Sequence, residues 1–212
     1  MGTQPEHKGV VFVIDDDALL RDALSRLFRS IGLQVVTFAS APEFLNHKLP
    51  PNPSCLVLDV RLPGLSGIDF QSELAKANID IPIVFMTGHG DIPMSVRAMK
   101  AGAIEFLSKP FRDQDMLDAV QEGLARDRTR RQRAIDISKL KNKYDSLTER
   151  EKEVMTLVAS GLMNKQIAAN LSVSEVTVKF HRSNVMRKMK AKSLAELARM
   201  AEALGLQRDR VS

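Results

Sequence analysis

Three short runs of apolar residues constrain this chain more than any other feature. They occupy Val10–Ile14, residues 55–58 and residues 81–86, and an aspartate or a threonine follows each run directly. Runs of this kind are typical of strands that are buried on both faces of a parallel sheet. Weaker patterns predict two more strands, at Gln34–Phe38 and residues 103–107. Five strands are therefore expected.

The segments between these runs carry apolar residues at helical spacing. In the first segment they are Leu19, Ala23, Leu27 and Phe28. Strands that alternate with helices predict a doubly wound α/β domain, in which the ligand site lies at the carboxyl ends of the strands. We place this domain at residues 8–125. Its single cysteine, Cys55, lies in an apolar run and is expected to be a buried, inert thiol.

Polar residues of a few kinds stand at those strand ends. They are Asp15, Asp16 and Asp17 after the first strand, Asp59 after the third, Thr87 after the fourth and Lys109 after the fifth. Crowded carboxylates repel one another, and a hard cation such as Mg²⁺ would relieve that repulsion. Taken singly, each of these residues is better explained as a solvated loop residue or a helix cap. Their joint placement favours phosphoryl transfer to the Asp59 carboxylate, with Lys109 and Thr87 as contacts.

The second half of the chain differs in charge and in pattern. Residues 1–125 contain 11 basic and 16 acidic side chains, whereas residues 141–212 contain 14 and 8. Residues 126–142 are basic and weakly periodic, which predicts a partly helical linker. Residues 143–209 are predicted to be all-helical, with a capping box from Thr148 to Glu151. A helix, a tight turn and a helix follow at about residues 164–183, the outline of a DNA-binding motif.

Segments of the amino-terminal half resemble the motifs of receiver domains in two-component signalling. They are Ile14-Asp15-Asp16, residues 58–67, residues 86–90 and Ser108-Lys109-Pro110-Phe111. The resemblance implies a flavodoxin-like (βα)5 fold in which Asp59 accepts a phosphoryl group from a sensor histidine kinase. It also implies bound Mg²⁺, held by the side chains of Asp16 and Asp59, by the Arg61 backbone carbonyl, and by Asp15 through water.

The same resemblance implies roles for three residues around the phosphoryl group. Lys109 and Thr87 would contact it, and Phe106 would turn inward when Thr87 is drawn to the phosphate. The bond between Lys109 and Pro110 is expected to be cis, which is inexpensive only before proline. Two alternatives stay open. The aspartate triplet could shift by one, although strand length favours Asp15 and Asp16, and Phe106 is nearly as consistent with an ordinary core residue.

The carboxy-terminal half resembles the LuxR-type helix-turn-helix, on residues 147–151, 161–168 and 176–181. The whole chain is therefore similar to the FixJ and NarL class of response regulators, and most similar to FixJ- and StyR-like members. With Val178, Val185 and Met189 facing the core, other faces of the last motif helix are free for DNA. The resemblance points to base contacts by Lys179, Phe180 and Ser183. Phe180 departs from the smaller aliphatic residue expected at its position, and this departure favours contact with a thymine methyl. The other candidate DNA contacts, mainly to phosphates, are Lys165, Thr177, Arg182, Arg187 and Lys188.

The leading hypothesis is a transcription regulator, and not an enzyme, whose phosphorylation promotes a dimer on paired half-sites. The implied partners are a sensor histidine kinase, promoter DNA, RNA polymerase and a second copy, bound through residues 94–106. An aspartate-based phosphohydrolase would need a second aspartate at Arg61, so only slow self-dephosphorylation is expected. A third hypothesis is constitutive DNA binding with a receiver that does not switch it. A cytoplasmic protein is expected, since no apolar stretch approaches the roughly 20 residues that span a bilayer.

Overall fold

The computed structural model describes residues 9–62, 64–88 and 92–206. Contacts between residues divide the chain into two compact units, residues 1–131 and residues 132–212. Pro63, His89 and Gly90 of the receiver-like motifs lie outside the described residues, as do residue 8 and residues 207–209 of the expected domains. Among the residues described, no helix is both long enough and apolar enough to cross a membrane.

The first unit is built on a parallel sheet. Its strands are β1 (Val10–Ile14), β2 (Gln34–Phe38), β3 (Ser54–Asp59), β4 (Arg61–Leu62), β5 (Leu65–Ser66), β6 (Ile83–Thr87) and β7 (Glu105–Ser108). Five of them form one parallel sheet in the order β2-β1-β3-β6-β7, which confirms the predicted fold. The other two, β4 and β5, have two residues each and pair antiparallel. The sequence did not predict them, because strands this short show no periodicity.

Helices cover both faces of this sheet. They are α1 (Ala18–Ser30), α2 (Ala41–Leu45), α3 (Gly67–Lys76), α4 (Ile92–Lys100) and the part of α5 (Asp113–Asp145) that belongs to the first unit. Successive side chains of a strand point to opposite faces. Phe12 and Ile14 of β1 therefore pack in one core cluster with Phe44 and Phe70. Val11 and Val13 point to the other face and pack in a second cluster with residues of α1 and α5. Residues 126–142, expected as a linker, lie within α5.

Not every apolar residue at helical spacing in α1 faces the core. Leu19 is 81% exposed and Ala23 is also exposed, so these two residues do not mark the buried face. The core instead receives Leu24 and Phe28, with Leu20 and Leu27 partly buried beside them. The apolar spacing of α1 is compatible with two buried faces that are one residue apart. The observed face buries Leu24, whereas the other would bury Ala23, so the observed face removes more apolar surface from water.

The second unit contains four further helices, α6 (Glu149–Ala159), α7 (Asn164–Leu171), α8 (Glu175–Met189) and α9 (Leu194–Ala203). The capping box predicted for α6 is present, since the Thr148 side chain accepts from the Glu151 backbone and the Glu151 side chain accepts from the Thr148 backbone. Ser172 takes a left-handed conformation between α7 and α8, and Ser174 caps α8. The core includes the predicted stripe of Val178, Val185 and Met189.

Candidate functional sites

Three charged side chains meet at the carboxyl edge of the sheet. Asp59 is the last residue of β3, Asp15 follows β1, and Lys109 follows β7. The Lys109 ammonium nitrogen donates to Asp15 Oδ2 at 2.8 Å and to Asp59 Oδ2 at 2.9 Å. Parallel strands end at one edge of their sheet, and residues separated by 94 and 50 positions are thereby brought into contact. The pocket thus joins two carboxylates through one ammonium group.

A third carboxylate completes a possible cation site. Asp15, Asp16 and Asp59 each offer an oxygen, and these three oxygens lie within 4.8 Å of one another. Asp17 is occupied differently, because its side chain accepts from the Leu19 and Leu20 backbone nitrogens and caps α1. The register therefore places Asp15 and Asp16, not Asp17, beside Asp59. Converging carboxylate oxygens suit Mg²⁺, which prefers hard oxygen ligands and keeps several waters.

Burial and pairing set the charge of this pocket. Asp15 is fully buried, and burial raises the pKa of its carboxyl group despite hydrogen bonds from Lys109 and from the Asp17 backbone. Burial alone would lower the pKa of Lys109, but its hydrogen bonds to Asp15 and Asp59 outweigh this and raise it. Lys109 therefore keeps its positive charge at neutral pH, as the electrostatic stabilisation of a phosphoryl group requires.

The remaining predicted residues of the pocket lie on neighbouring strands. Thr87 is fully buried at the end of β6, and its backbone carbonyl accepts from the Lys109 backbone nitrogen at 2.7 Å. The Lys109–Pro110 bond is cis, as the resemblance implies. The Arg61 backbone nitrogen donates to Asp59 Oδ1 at 3.1 Å. On β7, Phe106 is half-buried, with its ring centroid 6.3 Å from that of Phe85.

Two further residues that were not predicted as site residues support the pocket. The Arg21 guanidinium donates to the Asp15 backbone carbonyl at 2.7 Å, and thereby ties α1 to the acidic loop. Gly67, the first residue of α3, lies so close to β3 that a Cβ atom there would stand 2.5 Å from the Asp59 backbone oxygen. The motif around Gly67 could have signalled a close approach. Nothing in the sequence singles out Arg21 among the other arginines of α1.

In the second unit, the candidate DNA contacts divide into an exposed group and a half-buried group. Exposed on α7 and α8 are Lys165, Lys179, Phe180, Ser183 and Arg187. Half-buried are Thr177, Arg182 and Lys188. Met186 of α8 is also half-buried and packs against the core. The exposed group therefore forms the surface that a ligand can reach without rearrangement.

The half-buried group has polar partners inside its own domain. The Thr177 hydroxyl lies 2.9 Å from Ser174 Oγ, and Arg182 Nη1 donates to Asn164 Oδ1 at 2.6 Å. The Lys188 ammonium donates to Glu151 Oε2 at 2.6 Å. Burial would raise the pKa of Glu151, but the hydrogen bonds from Lys188 and Thr148 lower it.

A parallel sheet with carboxylates and a lysine at its carboxyl edge, followed by a helix-turn-helix, defines a class of signalling proteins in which a receiver precedes a DNA-binding domain. Comparison with known proteins agrees with that class. Residues 11–121 match the family model of the response regulator receiver domain. Residues 145–201 match the model of bacterial regulatory proteins of the luxR family. The chain belongs to the two-component response regulators with a LuxR-type DNA-binding domain.

Individual relatives support the same assignment over nearly the whole chain. Nodulation protein W of Bradyrhizobium diazoefficiens is 58% identical, and the match covers 96% of this chain and 90% of that protein. Transcriptional regulatory protein FixJ of Azorhizobium caulinodans is 42% identical over 92% of this chain and 93% of its own. A structure of the response regulator StyR matches with a TM-score of 0.79 at 52% identity, and covers 92% of this chain and 98% of that one.

Proposed function

We propose that Asp59 accepts a phosphoryl group from a phosphohistidine of a sensor histidine kinase, and that this event controls DNA binding by the second unit. The observation that carries the proposal is the Lys109 ammonium group, which lies within 2.9 Å of both Asp15 and Asp59 at the carboxyl edge of the sheet. A structural ion pair would need one carboxylate. Two carboxylates with a third nearby form an acceptor for a cation and a phosphoryl group.

In the transfer step an Asp59 carboxylate oxygen attacks phosphorus, and the bond from phosphorus to the histidine nitrogen breaks with its electron pair on that nitrogen. Because the other ring nitrogen carries a proton, the histidine leaves as a neutral imidazole. Bound Mg²⁺, held by Asp16, Asp59 and the Arg61 carbonyl and by Asp15 through water, would supply positive charge for one phosphoryl oxygen. Lys109 neutralises a second oxygen because its ammonium already faces Asp59. The Thr87 hydroxyl donates a hydrogen bond to a third. Slow hydrolysis of the resulting acyl phosphate returns the receiver to its resting state.

Phosphorylation then acts through the face formed by α4 and β7. The displacement of Thr87 toward the phosphate leaves room for Phe106 to turn inward, and the altered face binds a second copy through residues 94–106. Val96 and Met99 support this role, because they are 44% and 43% exposed on α4. Burying such side chains against a partner releases water from apolar surface. The resulting dimer occupies paired half-sites in promoter DNA and contacts RNA polymerase in the cytoplasm.

DNA recognition is assigned to α8, within a domain that comprises residues 143–209 and follows a linker at residues 126–142. Lys179, Phe180 and Ser183 contact base edges, whereas Lys165 and Arg187 contact phosphates. Arg182 and Lys188 reach phosphates only by giving up partners that they hold within the domain. Phosphate contacts position a protein on DNA and base contacts specify the sequence.

The decisive experiment selects binding sites from a genomic DNA library with the full chain, with and without Mg²⁺ and acetyl phosphate. Asp59→Asn removes the acceptor, and Asp69→Asn, an exposed aspartate on α3, serves as the matched control. Intact-mass measurement should find one phosphoryl group on the wild type and the control, and none on Asp59→Asn. Enrichment of a paired motif should depend on the phosphodonor in the same two proteins. Equal enrichment under all conditions would mean that phosphorylation does not control binding.

A further inference from the structure

The outward face of α8 begins one turn before the residues already assigned to bases. Successive residues of a helix are about 100° apart, so Val176 and Phe180, each two positions from Val178, lie opposite it. Val178 is fully buried, whereas Val176 is 75% exposed and Phe180 is 64% exposed. Ser183 and Arg187 continue the same row at helical spacing, and both are exposed. Val176 is therefore the first member of a four-residue row that faces away from the core.

The neighbours of Val176 cannot take its place in this first turn. Thr177 is half-buried, and its hydroxyl lies 2.9 Å from the oxygen of the capping residue Ser174. The Thr177 backbone nitrogen also donates to that oxygen at 3.1 Å. Glu175 is acidic and would be repelled by phosphates. In a helix-turn-helix, the amino-terminal residues of the recognition helix contact base edges. Glu175 and Val176 are both exposed at that point, and Val176 is the one that carries no negative charge.

We propose that Val176 is a specificity-determining residue that reads the methyl group of a thymine in the major groove. The inference rests on the proposed DNA-binding function. Valine has no hydrogen-bond donor or acceptor in its side chain, so it can favour a base only by apolar contact. The C5-methyl of thymine is the apolar group in the major-groove code. Lys179 and Arg187 on the same helix attract the polyanion that carries this methyl group.

The spacing of the row limits where that thymine lies. Val176 and Phe180 are four residues apart, a rise of about 6 Å along the helix. Bases on one strand are about 3.4 Å apart. The thymine read by Val176 therefore lies within about two base steps of the base read by Phe180. At this separation the two side chains contact different bases.

The test uses the full chain with Mg²⁺ and acetyl phosphate, and the DNA site that the library selection recovers. Each thymine of that site is replaced in turn by deoxyuridine, which lacks only the methyl group, and Kd is measured for the wild type, Val176→Ala and Phe180→Ala. Leu194→Ala is the matched control, because Leu194 is a 43% exposed apolar residue of the same domain outside α8. Alanine is the best helix former, so Val176→Ala leaves α8 intact.

For the wild type, deoxyuridine at one position should weaken binding roughly fourfold, the effect of one buried methyl group. Val176→Ala should bind the unmodified site weaker by a similar factor and should be indifferent to that deoxyuridine, while it keeps the other sensitivities. Phe180→Ala and Leu194→Ala should keep the sensitivity to the deoxyuridine at that position. Wild-type affinity in Val176→Ala, or an unchanged response to every deoxyuridine, would overturn the inference alone. A wild-type chain that enriches no DNA motif would overturn the proposed function and the inference with it.

Discussion

Replacing Asp127 by alanine should destabilise the first unit by about 2–4 kcal/mol. Asp127 lies on α5, and its carboxylate is fully buried. It accepts from the Ser54 backbone nitrogen at 2.8 Å, from Arg131 Nε at 2.6 Å and from Arg130 Nε at 3.0 Å. Arg130 also pairs with Asp80 at 2.9 Å. This network fastens α5 to the first residue of β3, at the edge of the sheet opposite the acidic pocket.

The magnitude follows from what each partner loses. In Asp127→Ala the buried Ser54 nitrogen has no acceptor, which costs about 1–3 kcal/mol. The two arginine side chains are 40% and 27% exposed, so water recovers most of their charge. Arg130 also keeps Asp80. Lost pairing of partly exposed charges adds about 1 kcal/mol. Asp118→Ala, at an exposed aspartate of the same helix, should stay within about 0.5 kcal/mol of the wild type.

Hydrogen exchange followed by mass spectrometry measures this effect in the full chain. Peptides that cover β1 and β3 exchange through opening of the first unit, and a loss of about 2–4 kcal/mol speeds their exchange roughly 30- to 700-fold. Peptides from α6 to α9 provide an internal reference, because they belong to the second unit. Exchange of β3 within about threefold of the wild-type rate, less than 1 kcal/mol, would refute the reasoning and show that Asp127 adds little to stability.

Three further predictions concern single groups. Because the pKa of Glu151 is lowered in the folded state, its pair with Lys188 should stabilise the second unit above pH 4.5 and lose this effect as the pH falls below that value. The melting temperature of Glu151→Gln should lack this pH dependence, and a pH profile identical to that of the wild type would contradict the prediction. In Gly67→Ala the added Cβ would clash with the Asp59 backbone oxygen, so the substitution should lower stability by about 1–3 kcal/mol and slow phosphorylation by acetyl phosphate. Unchanged phosphorylation kinetics would show that α3 moves away without disturbing Asp59. Burial raises the pKa of the Cys55 thiol, so iodoacetamide should leave the folded protein unmodified and react after unfolding in urea; rapid labelling of the folded chain would refute the burial.

The pocket illustrates how much a sequence can predict. Asp59 and Thr87 end buried strands, and the ends of parallel strands meet at one edge, so their proximity follows from the apolar pattern. The same argument places Lys109 nearby. It does not tell which oxygen Lys109 contacts, nor that Arg21 holds the Asp15 carbonyl. These contacts depend on side-chain reach within the assembled fold, which no local pattern encodes.

The second unit shows the same division. The spacing of Val178, Val185 and Met189 was enough to predict the buried face of α8, because helical periodicity is a property of the local chain. Whether a basic side chain on the other faces is free for DNA depends on residues far away in sequence. Lys188 pairs with Glu151, 37 positions earlier. Lys179 and Lys188 therefore look alike in sequence, although one is exposed and the other is held.

The sequence by itself determined the order of strands and helices, the two-domain plan, and the place of the acidic residues, because apolar periodicity and capping are encoded within short segments. Only the tertiary structure decided which phase of α1 is buried, which aspartates face Asp59, and which cations of α8 stay exposed. Those outcomes depend on how much apolar surface competing arrangements bury, and on which charged groups find partners across the fold. Val176 belongs with them, since its exposure is set by the residues that surround its helix.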